Sequence, residues 1–191
     1  MTNKIINKMT NNLPLTKKEI NYFLNEFCIQ IKKNYNINNP YDTNCKYCRE
    51  TASEFAKYIY LKHGINDIFI NIKELLNIPL THYINILFVN INNEIKPYLI
   101  DMTYNQFFNN KIILDNGNAV STKNTFKKME EESFIKELRL KGFIELNEYN
   151  TKKYFDLFLD TCRVSDKSSA YYNINELLKN NIVFNNKSRR R

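Results

Sequence analysis

Three residue types that together make acyl-transfer chemistry lie on separate predicted elements of this 191-residue chain. Cys45 and Cys48 stand at the N-terminal end of a predicted helix. His82, one of only two histidines, opens a predicted amphipathic strand, and Asp101 closes the strand that follows. A helix N-terminus carries partial positive charge and unpaired backbone N–H groups, which favour thiolate over thiol. An imidazole beside a thiolate forms an ion pair with it and can later protonate a leaving amine. A carboxylate on the far side of the ring fixes its tautomer and stabilises its charge. The helix-end amides can also donate to the oxyanion of acyl transfer. Taken singly, each residue has a blander use. Helical cysteines are usually small buried hydrophobes, a strand histidine is often a core-edge residue, and an aspartate can cap the turn after its strand. Their conjunction, in this order on these elements, favours catalysis.

The elements that must position these groups are legible in the spacing. Thr16 and Glu19 form a capping box, and Ile20, Phe23, Phe27 and Ile31 then recur at helical spacing, predicting a helix that ends near Tyr35. A loop over 36–44 contains Pro40. Cys45, Cys48, Ala52, Phe55 and Ile59 follow on one helical stripe, widened by Ala56 and Tyr60, and Gly64 suits the position just past the helix end. Beside it, His63 reads as a helix C-terminal residue favoured by the dipole.

Ile68–Ile72 predicts a strand, and 73–77 a helical turn stopped by Pro79. From His82 to Ile91 the chain alternates. His82, Ile84, Ile86 and Phe88 share one face, and Tyr83, Asn85, Leu87 and Val89 the other. Asn92 and Asn93 turn the chain into a second strand, from Ile95 to Asp101. Folding this hairpin brings Asp101 within about two residues of the position opposite His82. Further on, the pattern predicts a short strand over Ile112–Leu114, a turn over Asp115–Asn118, and a helix from Glu130 to Lys141 closed by Gly142. Another helix from Thr151 to Cys162 carries Tyr154, Phe155, Phe158 and Leu159, and a short one covers Asn175–Asn180. Residues 1–15 read as a polar tail, 16–186 as one domain and 187–191 as a basic tail.

Composition narrows the classes. Lys and Arg number 28 and Asp and Glu 20, a net charge of +8, with 43% hydrophobic residues. That is a globular balance, long enough for one substantial core. The three glycines, Gly64, Gly117 and Gly142, lie far apart, which excludes the Walker loop and the dinucleotide fingerprint. No apolar run approaches the ~18 residues needed to span a bilayer. The N-terminus lacks an apolar signal segment, so the expectation is a cytoplasmic chain as encoded, with non-classical export into a host cell left open. The four cysteines, Cys28, Cys45, Cys48 and Cys162, then read as reduced thiols. Asn, at 32 residues, can stand in for missing Gly in turns.

At these residues the chain resembles a family. Cys48-Arg-Glu-Thr-Ala-Ser-Glu-Phe-Ala, with His63-Gly64-Ile65 further on, is similar to the cysteine-bearing helix of papain-like and transglutaminase-like cysteine hydrolases. The run from Thr81 to Val89 is similar to their histidine strand, and Tyr98-Leu99-Ile100-Asp101-Met102-Thr103-Tyr104 to their aspartate strand. Asp101-Met-Thr-Tyr-Asn-Gln-Phe-Phe108 looks like bacterial effector and toxin members, glutamine deamidases among them. The resemblance covers roughly residues 42–108, and Met102 stands where the family often has Pro. It implies an α+β, papain-like or transglutaminase-like fold with helices packed on a small antiparallel sheet. It also implies a Cys48–His82–Asp101 triad. Cys48 has Ala52, Ala56 and Gly64 at plus four, plus eight and plus sixteen, which fits the family spacing. Cys45 follows Asn44, a common neighbour of such nucleophiles, and is the alternative nucleophile.

The expected activity is hydrolysis of a protein amide bond through a thioester acyl-enzyme, with a protein or peptide substrate and no cofactor or metal. The alternative is a protein glutamine deamidase or a transglutaminase-type effector. A third reading, of another class, is a non-enzymatic basic module that binds nucleic acid or an acidic protein. The basic residues are dispersed and no recognition motif accompanies the Ser188-Arg-Arg-Arg191 end, which argues against nucleic acid. Zinc on Cys45-x-x-Cys48 would need a second ligand pair, and none has finger-like spacing. A thioredoxin-type pair would follow a strand, whereas this one follows a Pro- and Asn-containing loop. Oligomeric state is not legible.

Overall fold

The computed structural model of the protein describes residues 16–35, 48–65, 67–91, 94–104, 106–109, 111–113, 119–121 and 132–187. Cys45, the loop over 36–44, the Asn92–Asn93 turn, the 115–118 turn, Glu130, the N-terminal tail and residues 188–191 lie outside them.

The chain opens with helix α1, Lys17–Tyr35. Its capping box forms as the sequence predicts: Thr16 Oγ1 accepts from the Glu19 amide at 3.2 Å, and Glu19 Oε2 accepts from the Thr16 amide at 2.7 Å. Helix α2, Cys48–His63, follows. Gly64 ends it with a left-handed φ of 64°, its N–H bonded to the Tyr60 carbonyl at 2.8 Å. The apolar stripe differs from the expected one on one flank. Ala52, Phe55 and Ile59 are buried, but so are Thr51 and Tyr58, while Tyr60 is 57% exposed. The helix is rotated toward α1, whose Phe27 packs edge-on against Phe55 at 5.4 Å and tilted against Tyr58 at 5.4 Å.

Strand β1, Ile68–Asn71, leads into the short helix α3, Ile72–Leu76. Ile72 thus belongs to the helix, because the Asn71 side chain caps it by accepting from the Lys73 amide at 3.1 Å. Asn77 ends α3 in the left-handed conformation at φ 53°, doing the work a glycine usually does. Strands β2, Tyr83–Ile91, and β3, Glu94–Ile100, form the predicted hairpin, pairing Asn85 with Ile100 and Ile91 with Glu94. Then come α4, Gln106–Asn109, and a separate two-stranded ladder of β4, Lys111–Ile113, and β5, Ala119–Ser121. Helix α5, Ser133–Lys141, is closed by Gly142 at φ 75°. Strand β6, Phe143–Glu145, has no counterpart in the sequence reading, since three residues are too few to show a period. Helix α6 spans Glu148–Thr161.

The last helix, α7, runs from Ser168 to Lys187 and not merely over Asn175–Asn180, so Lys187 belongs to it and not to a tail. Asp166 Oδ1 accepts from the Ser168 amide at 2.9 Å at its start. Ala170 and Ile174 are buried, with Leu177 and Leu178 packed against the same core. This stripe holds a helix that the asparagines, with their low intrinsic propensity, obscure.

The main sheet is antiparallel, in the order β1-β2-β3-β6. The protein is therefore α+β with a small four-stranded sheet. Helices cover both faces of that sheet. On one face, Leu87, Val89, Tyr98, Ile100 and Phe143 pack with Phe23, Phe27, Phe55 and Ile59 of α1 and α2. On the other, Ile84, Ile86, Leu99 and Ile144 pack with α3, α5, α6 and α7. Both registers of each central strand are thus apolar, and their alternation alone cannot say which side carries the core. Among the described residues no helix is long and apolar enough to cross a membrane.

Candidate active site

The site lies at the end of the sheet where β2 begins and β3 finishes. His82 immediately precedes β2, and its carbonyl accepts from the first amide of α3, Ile72, at 2.8 Å. Continuing the β2–β3 register by one residue sets Asp101 opposite Ile84. His82 is two residues from Ile84, so imidazole and carboxylate leave the sheet on the same side as a diagonal pair. Their contact is direct: His82 Nε2 meets Asp101 Oδ2 at 2.8 Å, with both side chains buried.

Three further groups hold the carboxylate. The Thr103 amide donates to Asp101 Oδ1 at 3.2 Å and the Thr103 hydroxyl to the same oxygen at 3.3 Å. From α6, the Tyr154 hydroxyl donates to Oδ2 at 2.8 Å, beside His82. Burial and the Asp101 charge push the Tyr154 phenol well above its ordinary value, so it remains a donor. Met102, standing where the resemblance expects Pro, is buried against the α1 and α2 side.

The imidazole is wedged between aromatic rings. Phe158 stacks on it at 5.6 Å with an interplanar angle of 16°, and Phe107 meets it edge-on at 4.8 Å. Gln106 Nε2 lies 3.1 Å from the second ring nitrogen, Nδ1. Burial alone would pull the imidazole down. The Asp101 charge and hydrogen bond, with smaller contributions from the Cys48 side chain, outweigh it and raise His82 from 6.5 to about 9.

Cys48 is the first residue of α2 and is partly exposed. Its side chain lies close enough to His82 to help raise the imidazole's affinity for a proton. The structure thus brings Cys48, His82 and Asp101 together, from the α2 layer and from two strand ends. Cys45 lies outside the described residues. A small cleft opens beside the sulfur, lined by Thr51, Ala52, Tyr83, Asn85 and Met102 among others. Asn85 is itself fixed, its Nδ2 donating to the Ala52 carbonyl at 3.0 Å and to Asp67 Oδ2 at 2.5 Å.

The remaining sequence candidates lie elsewhere. Cys162 caps α6, half-buried, and burial pushes its thiol up to about 11. His63 is buried, not held at a solvated helix end as a charge. Its ring lies 4.0 Å from Phe23, its Nε2 is 3.2 Å from the Tyr58 hydroxyl, and burial holds it below its ordinary value despite Glu26. Among the described residues no group of three His, Cys, Asp or Glu side chains is placed to hold a metal.

Sequence reasoning missed Tyr154, Gln106 and the Phe107–Phe158 pair as site residues. Tyr154 and Phe158 carry only a core signal, because their approach to His82 depends on how α6 crosses the sheet. Thr103 and Gln106 had a local one, lying two and five residues after Asp101 in a polar turn. No protein-family model matches the chain, and no curated protein or solved structure shows significant similarity to it.

Proposed function

We propose that the protein is a cysteine hydrolase that cleaves protein amide bonds through Cys48, His82 and Asp101, in the manner of papain-like enzymes. One observation carries this reading. A single buried imidazole is hydrogen-bonded to a fully held carboxylate at 2.8 Å and is influenced by the thiol that begins a helix. A structural histidine at a core edge needs one partner; this one has a carboxylate on one nitrogen and sulfur within reach of the ring.

Nε2 is committed to Asp101, so the proton exchanged with Cys48 passes through Nδ1, which Gln106 Nε2 also meets at 3.1 Å. The Cys48 sulfur attacks the amide carbon and its proton resides on His82. The tetrahedral intermediate places its oxyanion within reach of backbone amides in the first turn of α2. As the C–N bond breaks, His82 gives the proton to the leaving amine, and a thioester remains. Water then attacks the thioester carbon, His82 takes its proton, and the carboxylic acid and Cys48 thiol are released. Asp101 orients the ring and stabilises the imidazolium. No cofactor is needed for these steps.

The small size of the cleft beside Cys48 favours a second reading, attack on a glutamine side chain, which releases ammonia by the same steps. Intact-mass spectrometry of protein substrates incubated with the chain tests both. Proteolysis yields fragments, and deamidation adds about one dalton to an unbroken partner. Cys48→Ala should abolish either outcome. Activity that survives in both Cys48→Ala and Cys45→Ala ends the proposal.

A further inference from the structure

Four polar side chains close a ring of contacts around one edge of His82. Nε2 meets Asp101 Oδ2 at 2.8 Å, Asp101 Oδ1 accepts from Thr103 Oγ1 at 3.3 Å, and Thr103 Oγ1 accepts from Gln106 Nε2 at 3.4 Å. Gln106 Nε2 then closes the circuit on His82 Nδ1 at 3.1 Å. Gln106 is 5% exposed, and its neighbour Phe107 presses edge-on against the imidazole. A buried amide facing a buried ring nitrogen must match that nitrogen's proton state, because a mismatch leaves two donors or two acceptors in contact away from water.

A neutral imidazole with its proton on Nε2 offers a lone pair at Nδ1, which the amide N–H satisfies. A protonated ring offers N–H at Nδ1, which the amide oxygen shares with the Cys48 sulfur. A half-turn of the amide about its last torsion exchanges the two, and the Thr103 hydroxyl, both donor and acceptor, can follow. Lysine or arginine could serve only the neutral ring, and a carboxylate only the cation.

We propose that Gln106 is the positioning residue of His82, an amide that satisfies Nδ1 in both protonation states and so holds the ring in place while its proton comes and goes. The catalytic use of this contact rests on the hydrolase reading above; the contact itself does not. The ionisable groups facing the ring are Cys48 from α2 and Asp101 after β3, with Tyr154 of α6 acting through Asp101, while Phe107 and Phe158 are apolar.

The chain has two histidines, so the ring nitrogens of the full chain can be followed by 15N NMR, with His63 as internal control. Gln106→Glu, nearly isosteric, should raise the His82 titration midpoint by about one pH unit or more, because a carboxylate serves only the cation. Gln106→Leu should move the neutral-ring Nδ1 resonance toward its unbonded position. On an amide substrate it should lower kcat about tenfold with KM little changed, since a misplaced base costs rate without costing binding. His63 signals should stay constant in both. A His82 midpoint unmoved in folded Gln106→Glu, or an Nδ1 resonance unmoved in folded Gln106→Leu, overturns the proposal. If the NMR responses appear but the native chain turns over no amide, the hydrolase reading fails and the Gln106–His82 coupling stands.

Discussion

His82 and Asp101 touch at 2.8 Å because the hairpin register makes them a diagonal pair, not a directly opposed one. Continuing the register, Asp101 stands across from Ile84 of the apolar layer, not across from His82. The offset of two residues carries the imidazole past the end of the ladder, toward the first turn of α2, while the carboxylate stays inside, where Thr103 and Tyr154 reach it.

Thiol reactivity separates Cys48 from Cys162. At neutral pH iodoacetamide should label Cys48 far faster than Cys162, whose thiol burial pushes up to about 11. His82→Ala should slow the Cys48 reaction about tenfold or more and leave Cys162 unchanged. Peptide mapping after timed labelling reads both sites, and equal rates at the two sulfurs would contradict an activated Cys48.

Tyr154→Phe deletes one donor from a buried carboxylate and changes no volume in the core. Hydrogen bonds to charged groups contribute roughly 1.5–3 kcal/mol, so the urea midpoint should fall by the equivalent of that amount. A midpoint equal to that of the native chain would mean that the hydroxyl does not support Asp101.

The His82–Asp101 pair sets a pH window for stability. Its folded value of about 9 stands above the ordinary 6.5. The folded chain therefore holds the proton more tightly than the unfolded one. The resulting stabilisation is complete below about pH 6.5 and is lost as pH rises through about 9. Urea midpoints measured across this window should fall more steeply for the native chain than for His82→Gln, and parallel slopes would contradict the coupling.

Asp67 works in the opposite sense. Burial raises it from 3.8 to about 6, against the opposing hydrogen bond from Asn85. The unfolded chain ionises first as pH rises from about 4, so the folded state loses stability up to about pH 6 and stays penalised above. Asp67→Asn removes the charge but keeps an oxygen for Asn85. It should raise Tm at neutral pH and leave it unchanged near pH 3.5, and a lower Tm at neutral pH would refute this account.

Much of the fold was legible because strong local signals agreed with it. The Thr16–Glu19 capping box, Gly64 and Gly142 past their helices, and the alternation after His82 all act within a few residues. The departures have two causes. The outward turn of Tyr60 and the full length of α7 were settled by packing, whereas Ile72 joins a helix through a local side-chain cap. Tyr58 meets Phe27, Asn71 caps α3, and Ala170 and Ile174 meet a core built by distant segments. Both faces of the sheet are covered, so alternation could set the pleat without revealing that helices lie on two sides.

By itself the sequence determined which groups could react and in what order along the chain, because thiol, imidazole and carboxylate chemistry is fixed by residue type and a hairpin's register by its turn. Only the tertiary structure decided that the three converge, that Tyr154 and Phe158 of α6 enclose them, and that Gln106 faces the open nitrogen of His82. Those contacts join distant residues, such as Asp101 and Tyr154, which lie 53 positions apart. Separations of that length are set by how layers pack, and local propensity carries no record of them.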